Sequence, residues 1–302
     1  MTRSYLVLLS FLAFIWGASY LFIKVAVDEI EPAAMMFVRL AIAAVLLVTF
    51  LLWREGTRSA LRQLWGAARP GLVLGVVNAA VPFTLIAWGE KHIDSGVAAI
   101  ANATVPIFNA LLVIKFLPSE KLSAGRLIGV LAGLVGVGIL AGGNPDGGWW
   151  AAAGTFAVVV ASFSYAIGSI YGQRRVHGIP GPVLATASMI GGALVLLPVA
   201  AFQVPSDVPS LEASASVLTL AVAGTALAQL VLFRMLRLHG SPRVVLVTYL
   251  MPPIALLYGA LLLDEEITVA AIAGLALILG GVAIGSGAIR LPRRRAALPQ
   301  AP

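Results

Sequence analysis

Long apolar runs without a charged residue recur along almost the whole chain, and they constrain its fold more than any other feature. A run of about 20 apolar residues can cross a bilayer as a helix. Nine such runs lie at residues 5–23, 70–89, 95–114, 127–145, 147–173, 178–206, 213–233, 244–263 and 267–289. A tenth, at residues 33–53, is interrupted by Arg39. Strand-type alternation is absent, so we predict an all-α integral membrane protein of ten transmembrane helices.

The composition agrees with a membrane protein. Charged residues make up 11% of the chain and hydrophobic residues 60%, whereas a soluble domain has about 25% charged residues. So few charges cannot cover the surface of a soluble fold of this size. No hydrophilic stretch is long enough for a separate soluble domain.

Several kinds of function lack the residues that they need. The chain has no cysteine, which excludes disulfides, thiol nucleophiles and cysteine-ligated metals. It has no Gly-x-x-x-x-Gly-Lys-Ser/Thr spacing, so we do not expect it to use ATP. The histidines lie near loops, and no cluster with metal-ligand spacing falls inside a predicted span. We therefore predict no cofactor.

The basic residues fall almost entirely on one side of the predicted helices. With a cytoplasmic N-terminus, all but three of the 20 Lys and Arg residues lie at cytoplasmic ends or loops; the exceptions are Lys24, Arg39 and Lys91. All but two of the 13 acidic residues lie on the other side; the exceptions are Glu55 and Glu120. Positive loops face the cytoplasm, so both termini are predicted to be cytoplasmic in a cell membrane. The net charge of +7 thus indicates a lipid bilayer and no nucleic-acid partner.

Two segments of the chain match each other at a nearly constant offset. Pairs that are 146 residues apart are Ser95 with Ser241, Asn102 with Thr248, and Pro106 with Pro252. After a one-residue shift, the matching pairs are Glu120 with Glu265, Gly129 with Gly274, and Gly136 with Gly281. We predict two five-helix repeats, at residues 1–144 and 145–289, and a basic cytoplasmic tail at residues 290–302. Because five is odd, the repeats would be inverted, an architecture that recurs in secondary transporters.

Short motifs also occur in a characteristic order. In the first half they are Trp16-Gly17-Ala18-Ser19-Tyr20, Pro32 with Arg39, and Pro106 followed by Ser119-Glu120-Lys121-Leu122-Ser123 and Gly129. In the second half they are Pro252, Asp264-Glu265-Glu266-Ile267-Thr268 and Gly274. Over about residues 6–289, the chain resembles the EamA-type ten-helix branch of the drug/metabolite transporter superfamily. The resemblance implies an exporter of amino acids, other metabolites or toxic compounds, with a central cavity between the halves. Tyr165 stands where that family often has tryptophan.

Arg39 is the sharpest candidate for contact with a solute. It lies seven residues after Pro32, which suits a helix start, or about 10 Å along the axis. An ionisable residue at that depth usually faces the bundle interior or a wet cavity, where Arg39 would anchor a substrate carboxylate. The alternatives are a structural pair with Asp28, Glu29 or Glu31, and a side chain that extends outward to the interface.

Amides and prolines within the spans are further candidates. The amides expected at the substrate are Asn78, Asn102 and Gln229. Such groups either bond to a neighbouring helix or line a polar pathway. Pro106 would free the carbonyl of Asn102, and Pro252 would free that of Thr248, because proline lacks an N–H group. Breaks of this kind can supply substrate ligands in transporters.

Aromatic side chains would form the walls of such a cavity. We include Trp16, Tyr20, Trp88, Tyr165 and Tyr249 among the substrate-binding candidates. Trp16 and Tyr165 occupy corresponding mid-span places in the two halves, so we expect both at the centre. Ordinary helix packing is the alternative for each.

Charged residues near the ends of the spans have structural explanations. Glu120 and Glu265 lie at predicted helix starts, where a carboxylate stabilises unpaired N–H groups and the positive end of the helix dipole; proton coupling is the alternative. Lys24 can pair with Asp28 one turn away. No carboxylate lies near the middle of a span, where proton relays usually need one.

Small residues recur at a spacing that lets helices approach closely. The spacing is present at Gly125, Gly129 and Gly133, and again at Gly281 and Gly285. It suits contacts within the bundle and contacts in a homodimer equally.

The predicted function is secondary transport, and specifically export of small polar metabolites such as amino acids, or of drugs, by alternating access between the repeats. One alternative is a channel or sensor, which single-channel currents would reveal. The other is an integral membrane enzyme. The acids available to it, at residues 264–266 and 90–94, have no metal or acid–base pattern. We therefore predict no enzymatic activity.

Overall fold

The fold is helical throughout the part of the chain described by the computed structural model, which is residues 3–116, 124–142, 148–239, 244 and 246–285. No strand occurs within these ranges. Among the described residues, seven helices are long and apolar enough to cross a membrane: Ser4–Val27, Pro32–Glu55, Ala68–Glu90, Ser95–Val113, Gly148–Arg175, Gly181–Ala200 and Leu211–His239. Three shorter apolar helices border residues outside the described ranges: Leu127–Gly142, Leu246–Leu262 and Val269–Ile284.

The helices are numbered in chain order. The first seven are α1 (Arg3–Val27), α2 (Pro32–Glu55), α3 (Thr57–Gly66), α4 (Ala68–Gly75), α5 (Val81–Glu90), α6 (Ser95–Asn102) and α7 (Val105–Phe116). The others are α8 (Ala124–Gly142), α9 (Gly148–Arg175), α10 (Gly181–Ala200), α11 (Leu211–Ala221), α12 (Ala228–His239), α13 (Leu246–Leu262) and α14 (Val269–Gly285).

Proline and glycine mark the ends of α2. Pro32 occupies its first turn, where the missing N–H group has no partner to lose. Gly56 follows its last residue with a φ of 75°, a conformation that glycine adopts without strain. The chain then turns into the short amphipathic helix α3, whose Trp65 is 86% exposed. An exposed tryptophan beside basic residues is typical of a membrane interface.

Two π-helical turns interrupt spans that lie far apart in sequence. Val76–Ala80 joins α4 to α5, and Val222–Leu227 joins α11 to α12. They begin 146 residues apart, the same offset that relates Ser95 to Ser241. A π turn widens the helix locally and often lies at a functional site.

The helices pack closely where both partners present small residues. On α4, Gly75 lies against α10, and a Cβ atom there would come within 2.5 Å of the Gly192 nitrogen and 2.6 Å of the Ser188 oxygen. On α14, Gly281 lies against α8, and a Cβ atom there would come within 2.5 Å of the Gly129 oxygen. The glycine spacing is therefore used for contacts within the chain. A homodimer stays a prediction.

The helices around the centre of the bundle differ in how they accommodate proline. Helix α6 ends at Asn102 and α7 begins at Val105, so the span breaks just before Pro106. Helix α13 instead continues past Pro252. The two matching prolines thus have different local structures.

Candidate functional site

A cavity of about 340 Å³ lies at the centre of the bundle. It is bordered by α1, α2, α5, α6, α7, α9, α12 and α13 and by both π turns. Eight residues expected at the substrate line it: Trp16, Tyr20, Arg39, Asn78, Asn102, Tyr165, Gln229 and Thr248. Its volume suits a single small metabolite. We refer to it below as the central cavity.

Arg39 is the only charged side chain among the described residues that line the central cavity. It is 4% exposed. Its Nε donates to the Thr225 hydroxyl at 2.9 Å, and its guanidinium carbon lies 4.1 Å from the centre of the Phe83 ring. The hydrogen bond and the cation–π contact hold the guanidinium in place without neutralising its charge.

Two of the three acidic residues suggested as partners of Arg39, Glu29 and Glu31, have other contacts. Glu31 forms an ion pair with Lys91 at 2.7 Å. Glu29 accepts hydrogen bonds from the backbone and hydroxyl of Ser210, each at 2.6 Å. Within the described ranges, Arg39 takes part in no ion pair, so its positive charge is available to an anionic solute.

The second π turn supplies two acceptors to the cavity wall. The Gly224 carbonyl accepts from Trp16 Nε1 at 3.2 Å, and Thr225 accepts from Arg39. The Thr225 hydroxyl also donates to the Leu220 carbonyl five residues earlier at 2.8 Å, a bond that the wider turn permits. The turn therefore orients both Trp16 and Arg39.

A chain of hydrogen bonds fixes the opposite wall. Asn102 Nδ2 donates to the Tyr20 hydroxyl oxygen at 2.8 Å, and the Ser162 hydroxyl lies 3.1 Å from Asn102 Oδ1 and 3.3 Å from the Asn102 carbonyl. The carbonyl near the helix break is thus within reach of α9. These bonds hold Tyr20 and Asn102 in one arrangement.

Asn78 lies in the first π turn, opposite α9. Its amide packs on Gly168, where any Cβ atom would clash with it. Its Oδ1 is buried and has no hydrogen-bond partner among the described residues. A buried acceptor without a partner is costly, and a donor on a bound solute would satisfy it.

Two of the aromatic candidates, Trp88 and Tyr249, are not among the residues that line the central cavity. Trp88 packs against His92 and Trp150, with ring centres 4.8 and 6.4 Å away. Tyr249 packs in a small cluster with Ile107, Val130 and Val282. The predicted capping residue Glu120 lies outside the described residues.

Sequence reasoning missed several residues of the central cavity, namely Ser19, Phe83, Ser169, Gly224 and Thr225. The 146-residue offset could have predicted one of them, because it aligns Gly224 with the candidate Asn78. Nothing in the sequence distinguishes Ser19 or Thr225 from hydroxyls that bond only to their own helix.

A second, acidic cleft of about 830 Å³ opens at the end of the bundle predicted to face outward. Seven of the residues that line it carry a carboxyl group: Asp28, Glu29, Asp94, Glu212, Asp264, Glu265 and Glu266. Lys24 also lines it, but its ammonium donates to the carbonyls of Glu90 and Ile93, at 2.7 and 3.0 Å. The predicted pair of Lys24 with Asp28 is therefore wrong, because helix-end carbonyls take the ammonium.

Glu265 caps a helix at the acidic cleft, although not the one that follows it in sequence. It accepts from the backbone and hydroxyl of Ser95, at the start of α6, at 2.8 Å each. The first turn of α14 is capped by Thr268, whose hydroxyl accepts from the Ala271 amide at 3.0 Å. The structural role expected of Glu265 thus links distant parts of the chain.

Comparison with known proteins gives the family. A model of the EamA-like transporter family matches residues 3–142 and again residues 152–286. The chain belongs to the EamA-like transporter family. This confirms the resemblance to the drug/metabolite transporter superfamily. With its apolar helices, membership makes the chain a multi-pass membrane transporter.

Relatives of this EamA-family protein cover most of its length. An uncharacterized inner membrane transporter of Escherichia coli, YedA, is 31% identical and is matched over 84% of this chain and 81% of its own. A probable amino-acid metabolite efflux pump of Salmonella typhimurium is 24% identical over 92% of this chain and 93% of its own. A solved crystal structure with 19% identity and a TM-score of 0.67 covers 96% of this chain and 99% of its own, and so shares the fold. The relatives' names point to transporters and not to enzymes.

Proposed function

We propose that this EamA-family protein is a secondary transporter that exports small solutes with a carboxylate group, amino acids foremost. The observation that carries the proposal is the buried guanidinium of Arg39, which lines the central cavity without an acidic partner among the described residues. A buried charge of this kind is stabilised by a counter-charge. A carboxylate can accept two parallel hydrogen bonds from one guanidinium.

The rest of the cavity suits the remainder of an amino acid. Asn78 Oδ1 is an acceptor in need of a donor, which an amino group would supply. The rings of Trp16, Phe83 and Tyr165 line the same space and would contact an apolar side chain. The name of the Salmonella typhimurium relative, a probable amino-acid metabolite efflux pump, supports the same class of solute.

Alternating access between two inverted repeats is the mechanism that we propose. Two separate matches to one family model support the predicted halves at residues 1–144 and 145–289. The two π turns at an offset of 146 residues support them also. Two similar halves can rock about a shared centre and expose the cavity to either side in turn.

The proposed topology has ten spans and both termini in the cytoplasm. Because the chain has no cysteine, single cysteines can report on each side with a membrane-impermeant maleimide. A cysteine at His177 and one added after Pro302 should be protected in intact cells, whereas a cysteine at Ser206 should react. Reaction of only one of the first two would contradict the inverted arrangement.

Counterflow in reconstituted vesicles tests the transport proposal. Vesicles loaded with an unlabelled amino acid should take up the same labelled amino acid transiently, and across a panel the exchange should saturate. The matched control is the carboxamide of each amino acid, which keeps the side chain and amino group but lacks the carboxylate. The carboxamides should exchange poorly. Absence of saturable exchange across the panel, or equal exchange of acids and amides, would overturn the proposal.

A further inference from the structure

A carboxyl group at the end of α5 is fully buried and has no bonding partner in the part of the chain that the structure describes. Glu90 is 0% exposed. Neither of its side-chain oxygens has a hydrogen-bond partner among the described residues. Its side chain is also in no ion pair within those ranges. Almost every buried charged group in proteins is paired or coordinated, so this carboxyl requires an explanation.

Among the described residues, no group bonds directly to the carboxyl of Glu90. Lys24 approaches its backbone carbonyl, and the ammonium is also held by the carbonyl of Ile93. On the facing helix α9, Gly154 and Val158 pack against the neighbouring Gly89, and neither has a charge. The ionisable groups that act on the carboxyl from other elements are Lys24, Arg39, Glu265 and Tyr20.

An ionised carboxylate in this position is therefore unfavourable. Burial removes its hydration, and Lys24 and Arg39 offset this only through space because neither bonds to it. Glu265 adds repulsion. The neutral acid avoids most of this cost, so the packed arrangement favours the protonated carboxyl.

The neighbours of Glu90 line both cavities. Ile86, one helical turn before it, lines the central cavity, and Lys24 and Asp94 line the acidic cleft. Movement that joins the two spaces would bring water to the segment that carries Glu90. Hydration would allow the carboxyl to ionise.

We propose that Glu90 is a proton-binding site that is protonated while this end of the bundle is closed and releases its proton to the acidic cleft when the end opens. The step is the dissociation of a carboxylic acid to a carboxylate and a proton, and no other bond changes. Because the closed state binds the extra proton, low pH favours it and high pH favours the open state. The coupling of this step to solute movement rests on the proposed function.

Infrared spectroscopy tests the protonation directly. An unperturbed glutamate is ionised above about pH 5, so purified wild-type protein near neutral pH should retain a C=O stretching band of a buried carboxylic acid. Glu90→Gln should lack that band. Glu266→Gln is the matched control, since it removes an exposed acid from the same end, and it should keep the band. A wild-type spectrum without the band, or an unchanged spectrum in Glu90→Gln, would overturn the proposal.

Labelling of a single cysteine tests the link to opening. Ser19→Cys is a nearly isosteric reporter in the central cavity, where Ser19 is 7% exposed. Right-side-out vesicles are treated with an impermeant maleimide from about pH 5 to about pH 8, a range above the ordinary glutamate value. The same reporter is also placed in the Glu90→Gln variant. Dividing the labelling rate of the Ser19→Cys protein by the rate of this double variant cancels the reactivity of the thiol itself.

This ratio of labelling rates should rise severalfold with pH, because Glu90 can ionise and favour opening, whereas the glutamine of the double variant cannot. A ratio that stays constant over the range would overturn the proposal, even if both variants are labelled. Neither measurement needs a solute, so failure here is distinguishable from failure of the counterflow experiment.

Discussion

Glu265 binds Ser95 through both oxygens of its carboxylate, although the two residues are 170 positions apart. A further hydrogen bond, at 3.2 Å, comes from the Gly96 amide. The first amides of a helix lack partners within it and carry the positive end of its dipole. The carboxylate accepts from the first amides of α6 and stabilises the positive end of its dipole. It thereby connects the loop before α14 to the first predicted half.

Removal of this cap should destabilise the protein. We expect Glu265→Ala to lower the free energy of unfolding by about 2 kcal/mol, because hydrogen bonds to a charged group contribute about 1.5–3 kcal/mol. Glu265→Gln should have a smaller effect, since its amide oxygen can still accept. The neighbouring Glu266 is exposed, so Glu266→Ala should stay within about 0.5 kcal/mol of wild type. Thermal unfolding in detergent provides the measurement, and equal effects at 265 and 266 would contradict the capping role.

Two adjacent glycines on α14 should respond differently to alanine. At Gly281 a Cβ atom would come within 2.5 Å of the Gly129 oxygen on α8, whereas at Gly280 nothing lies within 4 Å. We expect Gly281→Ala to destabilise by about 1–3 kcal/mol through overpacking. Gly280→Ala should be neutral or stabilise by up to about 1 kcal/mol, because alanine favours the helix. Unfolding midpoints that move together would show that α8 and α14 are not packed in this way.

The helices were predictable because their apolar length is a property of sequence alone. The run at residues 33–53 was recognised despite Arg39, and α2 spans it. The short helix α3 was not predicted, because its charged residues are typical of a loop between two spans. The different outcomes at Pro106 and Pro252 were not predictable either, since neighbouring helices decide how the freed carbonyl is satisfied.

The candidate site was predictable for residue types that are rare inside a membrane. Arg39, Asn78 and Gln229 were found because a charge or an amide in a span needs a partner. Thr225 escaped notice because a hydroxyl can always bond to its own helix. The burial of Glu90 was not predictable for another reason. Its position at the end of a span predicts an exposed acid, and only tertiary packing buries it.

The pH dependence of stability should reveal two carboxyl groups with opposite behaviour. Burial, and after it the charge of Glu265, raises the pKa of Asp94 above its ordinary 3.8. Hydrogen bonds from Ser210 lower the pKa of Glu29 below its ordinary 4.5. The folded state thus favours protonated Asp94 but ionised Glu29. The contribution of Asp94 to stability is therefore lost as the pH rises through its raised pKa. The contribution of Glu29 is lost as the pH falls through its lowered pKa.

We expect Asp94→Asn to be more stable than wild type, with a margin that grows as the pH rises from about 4 to about 7. Glu29→Gln should be less stable than wild type, also with a margin that grows over this range. Unfolding midpoints at several pH values check both. A margin for Asp94→Asn that shrinks with rising pH would contradict the environment assigned to Asp94.

Replacement of Arg39 should weaken solute binding even when the charge is kept. A lysine ammonium cannot offer the two parallel bonds of a guanidinium. We expect Arg39→Lys to raise the half-saturating concentration for amino-acid exchange about tenfold or more, which corresponds to the loss of a charge-assisted bond. Arg54 is exposed and paired with Glu55 at 3.2 Å, so Arg54→Lys should leave exchange unchanged. An unaltered half-saturating concentration in Arg39→Lys would remove Arg39 from the binding site.

Thr225 should act through Arg39. Thr225→Val keeps the approximate shape but removes the acceptor that holds the guanidinium at 2.9 Å, so we expect the half-saturating concentration to rise about two- to tenfold. In the double variant with Arg39→Lys, the threonine change should add little, because the bond that it supports is already gone. Thr219, whose hydroxyl bonds to the Ala215 carbonyl of its own helix, supplies the control Thr219→Val. Additive effects of Thr225→Val and Arg39→Lys would mean that Thr225 contacts the solute independently of Arg39.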